Sequence, residues 1–181
     1  MIVKETKLSG CFVMEPTVFE DERGYFLESF NTLRFNDAIG GNINFVQDNQ
    51  SYSSKGVIRA LHYQIGDHAQ AKLVRVLSGK VLDIAVDLRK NSPTYKEHVA
   101  FELSADNKKQ LFIPKGFAHG FVVLSDTAEF FYKCDNYYNK ESEGGIIFND
   151  PTLNIDWKVP HQELIVSEKD WELPTLDQAR L

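Results

Sequence analysis

Cysteine is scarce in this chain: only Cys11 and Cys134 are present. They form no CxxC pair and no disulfide framework, which excludes a disulfide-stapled fold and fits a reducing cytoplasm. Long apolar runs are missing too, since no stretch approaches the ~20 residues of a membrane helix. The polar start, MIVKETKLSG, lacks the apolar core of a signal peptide. The expectation is a soluble, cytoplasmic protein with no membrane partner. An excess of positive charge is also absent, because the formal net charge is −6. That excludes a whole-protein basic field for nucleic acid, while a local basic pocket for a small anion stays open.

What is present is ordinary for a globular protein: 43% hydrophobic and 25% charged residues. Aromatics stand out, with 13 Phe and 7 Tyr, so the core or a binding site is rich in rings. The 181 residues suit one domain with a sizeable core. Residues 1–181 read as a single domain with an N-terminal extension and a short C-terminal tail, without repeat or linker.

Short β-type runs dominate. Phe12–Met14, Tyr25–Leu27, Leu73–Leu77, Val81–Leu88, Val99–Leu103, Gln110–Ile113, Gly120–Leu124 and Glu129–Lys133 read as strands. Turn signals such as Glu22-Arg23-Gly24, Ser78-Gly79-Lys80, Asn91-Ser92-Pro93 and Ala105-Asp106-Asn107 separate them. Many short strands at regular spacing predict an all-β sandwich or barrel. Asn31–Ala38 is the best early helix, and Ser167–Asp170 opens a short C-terminal turn or helix. In Val81–Leu88, alternation puts Leu82, Ile84, Val86 and Leu88 on one face and Val81, Asp83, Ala85 and Asp87 on the other. Asp83 therefore meets solvent or lines a cavity.

Chemistry concentrates between Gln47 and Lys72, around Gly56-Val57-Ile58-Arg59-Ala60-Leu61-His62-Tyr63-Gln64. A guanidinium, an imidazole and an ammonium lie close together there, as in a concave site for a small polar ligand. A lone histidine is usually a hydrogen-bonded structural residue. His68, His98 and His161 keep that reading, whereas His62 and His119 each sit in a specific local pattern.

Gly56, His62 and Gly79, with Pro114-Lys115-Gly116-Phe117-Ala118-His119, resemble the two cupin motifs. Where metal-binding cupins place a second histidine this chain has Gln64, and at their glutamate position it has Lys72. An ammonium has no lone pair to give a metal and repels a cation. The resemblance thus implies a cupin or jelly-roll barrel, with short peripheral helices, whose metal is replaced by a fixed positive charge.

Nearly end to end, the chain resembles the dTDP-4-dehydrorhamnose 3,5-epimerase family. The resemblance is carried by Phe19–Glu28, Gln47–Ser51, Arg59–Gln64, Lys72–Arg75, Asp83–Arg89, Ser92–Tyr95, Ile113–Phe121, Tyr132-Lys133, Glu143, Asn149–Pro151 and Ser167–Asp170. The family's reaction removes a proton beside the sugar's carbon-4 ketone and returns one to the opposite face, at carbons 3 and 5. That needs a base, an acid on the other face and a group for the enolate oxygen.

The resemblance implies His62 as base, oriented by Asp170, although Asp170 alone reads as a helix cap. It implies Tyr132 as acid, where the residue pattern alone suggests core, and Lys72 as oxyanion stabiliser. Arg23, Arg59 and Lys169 suit the diphosphate. Gln47, Asp48 and Asn49 lie at the family's base- and ribose-binding stretch, and Glu28 and Glu143 can accept hydrogen bonds from hydroxyl or imide groups. Tyr138 resembles the residue that stacks on thymine, and His119 a substrate-binding residue. Asp83 is expected to support His62 or Lys72 from behind. No cofactor is implied, because the ketone itself acidifies the neighbouring protons. A homodimer is implied, with the Arg23–Glu28 region reaching the partner's site.

Two features sit awkwardly with regular strand geometry. Arg59 and His62 have opposite parity, so both reach one site only if the strand bulges between them. The family usually has glycine where this chain has Ala60. Ala60 shares parity with His62, so its methyl is expected to face the cavity and to slow the second epimerisation. Alternative readings are an epimerase acting at one carbon in another deoxysugar pathway, a metal cupin, and a non-catalytic sugar-binding cupin.

Overall fold

A computed structural model describes residues 1–181. In chain order its strands are β1 (Ile2–Glu5), β2 (Phe12–Glu15), β3 (Val18–Asp21), β4 (Gly24–Leu27), β5 (Gln47–Ser54), β6 (Ile58–Gln64) and β7 (Lys72–Ser78). They continue with β8 (Lys80–Asp87), β9 (His98–Ser104), β10 (Gln110–Ile113), β11 (Phe117–Val123), β12 (Thr127–Cys134) and β13 (Glu143–Gly145). The helices are α1 (Thr32–Ile39) and α2 (Glu168–Trp171). Asn31 caps α1 by accepting from the Arg34 amide, and Ser167 caps α2 by accepting from the Asp170 amide. No helix is long and apolar enough to cross a membrane.

The strands form a six-stranded sheet in the order β1-β2-β10-β7-β12-β5 and a five-stranded sheet in the order β13-β6-β11-β8-β9. Between named strands every pairing is antiparallel, and β3 with β4 makes a separate two-stranded hairpin. The expected jelly roll of the cupin type is therefore what forms. Gly79 makes the tight β7–β8 turn at φ +76°, where a Cβ would stand 2.0 Å from the Thr127 carbonyl oxygen.

Three apolar clusters hold these layers. The one between the sheets draws Val74, Val76, Leu111 and Phe130 from one sheet and Val81, Ala85, Leu103 and Phe121 from the other. Phe121 and Phe130 stack across the gap with centroids 4.1 Å apart, worth about 0.5–1.5 kcal/mol beyond burial. A second cluster lies on the outer face of the five-stranded sheet. There Leu82, Ile84, Val86 and Leu88 are covered by Ile146, Phe148, Leu153, Trp157 and Leu176 from the C-terminal segment. A third packs Phe35 of α1 against Met14, Leu73 and Phe112 on the outer face of the six-stranded sheet.

Both faces of β8 are thus buried. Its aliphatic row meets the C-terminal segment, and its Val81–Asp83–Ala85 row faces the interior. Asp83 is 0% exposed, which settles its orientation inward.

The decisive irregularity lies in β6. Phe121 of β11 pairs with Arg59, but His119 pairs with His62, so Ala60 and Leu61 together oppose the single residue Gly120. This is the bulge that the parity of Arg59 and His62 requires. A Cβ on Gly120 would come within 2.4 Å of the Ala60 methyl, so glycine there lets the bulged strand approach. The placement expected for the Ala60 methyl fails for the same reason. Ala60 is 1% exposed and packs with Ile58, Leu82 and Val122 in the outer cluster, not in the cavity. Its φ is not positive, so an L side chain fits without strain.

Candidate active site

The largest cavity, about 630 Å³, opens between the sheets. The bulge aims Arg59 and His62 into it together, and strand parity adds Gln64 from β6, His119 from β11, Tyr132 from β12 and Asn49 from β5. Lys72 enters from the start of β7. Tyr138, Glu143, Lys169 and Asp170 close one side. Ten of the residues expected from sequence thus share one space, although they are spread from Asn49 to Asp170 along the chain.

Asp170, at 4% exposure, stands 2.8 Å from His62 Nε2. Burial pushes its carboxyl up. The hydrogen bond and charge of His62, with the Ala60 amide, outweigh that and hold it below the usual carboxylate range. Asp170 is therefore an acceptor only, so the His62 Nε2–H donates to it. The short helix α2, capped by Ser167, fixes the carboxylate in place. The cap belongs to Ser167 and not to Asp170.

Lys72 Nζ lies 5.7 Å from the centre of the Tyr132 ring. Burial pushes its ammonium below the ordinary lysine range, and the Asp83 and Glu143 carboxyls partly oppose that. Burial likewise pushes the Tyr132 phenol up, with the Arg59 charge pulling the other way. Tyr132 both lines the cavity and packs against the inner core, so the two readings of its strand meet in one side chain.

Asp83 acts on Lys72 through its charge. It hydrogen-bonds neither His62 nor Lys72; its Oδ2 stands 2.9 Å from His119 Nε2. The reason is registry: Asp83 pairs with Phe121 on β11, two residues from His119 and on its face. Its Oδ1 is buried without a partner, and burial pushes the carboxyl up.

At the rim, Lys169 donates to Glu143 Oε1 at 2.6 Å, and the Tyr138 hydroxyl donates to Glu143 Oε2 at 3.2 Å. Tyr138 is 52% exposed, with its ring beside the cavity mouth and its amide donating to Gln47 Oε1. Gln47 Nε2 in turn donates to Asn49 Oδ1. Arg59 Nε donates to Ser53 Oγ at 3.2 Å, and the structure pairs its guanidinium with no carboxylate. Such a guanidinium at a cavity wall is suited to an anion.

Gln47 touches the lining residues without lining the cavity itself. Asp48 points outward and pairs with Lys133, Glu28 pairs with Arg34, and Arg23 pairs with Asp21 on the β3–β4 hairpin. The hairpin presents Phe19, Tyr25 and Phe26 at 62%, 61% and 69% exposure. Phe121 and Phe130 line the cavity and are missing from the sequence reading; their parity with His119 and Tyr132 is the signal that finds them. Gln70 also lines it, from an irregular segment that offers no such signal. No group of three or more His, Cys, Asp or Glu side chains is placed to hold a metal ion.

Residues 5–178 match the model of the dTDP-4-dehydrorhamnose 3,5-epimerase family. The dTDP-4-dehydrorhamnose 3,5-epimerase of Salmonella typhimurium is 53% identical over 182 residues, covering 100% of this chain and 98% of that protein. The crystal structure of the enzyme of that name from Elizabethkingia anophelis superposes with a TM-score of 0.95 at 58% identity, covering 98% of this chain and 97% of the other. A dTDP-6-deoxy-D-glucose-3,5-epimerase from Legionella pneumophila, solved in complex with dTDP-4-keto-L-rhamnose, gives 0.94 at 47% identity, covering 98% and 93%.

Proposed function

Because this chain belongs to the dTDP-4-dehydrorhamnose 3,5-epimerase family, we propose that it converts dTDP-4-dehydro-6-deoxy-D-glucose to dTDP-4-dehydro-L-rhamnose. The single observation that carries the reading is a paired His62–Asp170 sharing one cavity with Lys72 and Tyr132. A sugar-binding module has no need of a base, an acid and an oxyanion donor together.

His62 Nδ1 takes the proton from carbon 3 or carbon 5, and Asp170 stabilises the imidazolium that results. The negative charge moves to the carbon-4 oxygen, where the Lys72 ammonium meets it in a site of low dielectric. The Tyr132 phenol, held protonated by its burial, gives its proton to the opposite face of the same carbon. Phe121 and Phe130 form an apolar wall of the sugar site. Arg59 and Lys169 hold the diphosphate, Tyr138 stacks on the thymine, and Gln47, Asn49 and Glu143 bind its polar edges. His119, steadied by Asp83, binds the sugar. The reaction needs no cofactor, since the ketone acidifies both carbons.

Arg23, Glu28 and the exposed rings of the hairpin fit a homodimer in which each hairpin completes the partner's site, in a cytoplasmic enzyme. Light scattering should report a dimer, and an active monomer would overturn this arrangement. For the chemistry, the substrate is incubated with the enzyme in deuterated water and label is read at carbons 3 and 5. Label at both with inversion is the expected result. Label at one carbon alone would make this a single-carbon epimerase.

A further inference from the structure

Gln64 lines the main cavity but has no part in the reading above. It ends β6, shares strand parity with His62 and is 8% exposed. Its Oε1 accepts from the Asn139 amide at 2.9 Å. A side-chain amide has a single oxygen, so this bond also settles which end of the Gln64 amide is which. Glu143 is the cross-strand partner of Gln64 on β13, which puts both side chains on one face.

The segment Tyr137–Asn139 belongs to no helix or strand. Its amides need acceptors from elsewhere, and side chains supply them. Asn136 Oδ1 accepts from the Tyr137 amide, Gln47 Oε1 from the Tyr138 amide at 3.1 Å and Gln64 Oε1 from the Asn139 amide. The last two bonds matter most, because a peptide unit is rigid and planar. The Tyr138 amide lies in the plane before its Cα, and the Asn139 amide in the plane after it. Fixing both planes fixes φ and ψ of Tyr138, and with them the direction of its Cβ. At the far end of the ring the hydroxyl donates to Glu143 Oε2. Residues of β5, β6 and β13 thus hold Tyr138 at three points, although it is 52% exposed.

We propose that Gln64 is a positioning residue for the nucleotide: it holds the Tyr138 ring in its stacking orientation before the ligand arrives. The inference rests on the stacking role given to Tyr138 above. Without the Gln64 oxygen, the peptide after Tyr138 is free to turn to water, and binding must then order it. Ordering the backbone of one residue weakens a binding constant by about tenfold. The proton chemistry is untouched, since His62, Asp170, Lys72 and Tyr132 keep their places.

Calorimetry with dTDP and with inorganic pyrophosphate tests this, because only dTDP carries the base. Gln64→Met keeps the side-chain length and removes the oxygen. It is expected to bind pyrophosphate as tightly as the parent and dTDP about tenfold more weakly, so the ratio of the two affinities falls. KM for the sugar nucleotide should rise by a similar factor at unchanged kcat. Gln64→Glu keeps an acceptor oxygen, and its added charge acts on both probes alike, so it should hold the parent ratio. In a Tyr138→Ala background, Gln64→Met should lower the ratio no further. Thermal melting checks the fold, and Gln64→Leu gives the same readout should the Met variant melt early. A parent ratio in Gln64→Met, or an undiminished fall when the ring is absent, overturns the positioning role. Tyr138→Ala with parent dTDP affinity overturns the stacking reading instead. A parent enzyme that labels neither carbon overturns the epimerase reading, so the failures are told apart.

Discussion

The cavity contains the same pair of residue types twice. His62 meets Asp170 at 2.8 Å, and His119 meets Asp83 at 2.9 Å. What separates them is surroundings. The His62 side chain is 30% exposed, whereas those of His119 and Asp83 are 7% and 0% exposed. Asp170 sits below the usual carboxylate range because its partners outweigh burial, while burial drives Asp83 above it and His119 below the usual imidazole range. An exchangeable proton belongs at the first pair. The second is a fixed, desolvated support, with Lys72 close enough to feel its charge. Chemical identity alone does not assign the base; solvent access and local charge do.

The largest expected effect breaks the comparison most directly. His62→Ala should lose about a thousandfold in turnover and all solvent exchange at carbons 3 and 5, while dTDP binding survives in calorimetry. If His119→Ala abolishes exchange equally and His62→Ala retains it, the assignment of the two pairs is reversed. Next in size, Tyr132→Phe should lose about a hundredfold in inverted product yet still exchange label, because His62 works without it. Equal product from variant and parent would leave Tyr132 as core alone.

Asp83→Asn sharpens the contrast at a smaller magnitude, about tenfold in turnover. The sign of its pH effect is fixed. Burial lowers the Lys72 pKa and the Asp83 charge raises it, so removing that charge lets the ammonium deprotonate at lower pH. The alkaline limb of the rate profile should therefore move to lower pH. An unmoved limb would mean that Asp83 does not act on Lys72. Smallest is Ala60→Gly. With its methyl in the outer cluster, it should leave label rates at both carbons unchanged and lower stability by about 1 kcal/mol in denaturant unfolding. A changed rate at one carbon would return the methyl to the substrate's side.

Apolar strands were legible because burial writes itself as Val, Ile, Leu and Phe, so Gln110–Ile113 and most of β7, β8, β9 and β12 could be placed. The strand β5 could not. Its sequence QDNQSYSS is polar throughout, since it forms a sheet edge that turns only alternate residues inward. The residues of the main cavity are legible through family resemblance, and no periodicity alone gathers Asp170 to His62 across 108 positions. The role of Asp83 as the partner of His119 depends on the register of β8 against β11, which a single strand's sequence does not contain. Plain alternation puts Ala60 on the cavity side only because it does not register the bulge. Whether two residues oppose one is decided by the neighbouring strand, here by Gly120.

That bulge acts as a change of phase in a two-beat pattern. Residues before it keep one beat and residues after it the other, and only the break lets Arg59 and His62 fall on the same stroke. Shortening β6 by one residue at Ala60 would restore an unbroken rhythm and leave every later side chain in place. With Ala60 gone, Arg59 and His62 would stand two positions apart and still share one face, whereas straightening the strand with all four residues kept would turn the cation at 59 to the opposite face. Anion recognition and proton abstraction are in this sense coupled by a count. The chain can lengthen its loops freely, but with two residues between these side chains it cannot straighten the strand and keep both of them at work on a single ligand.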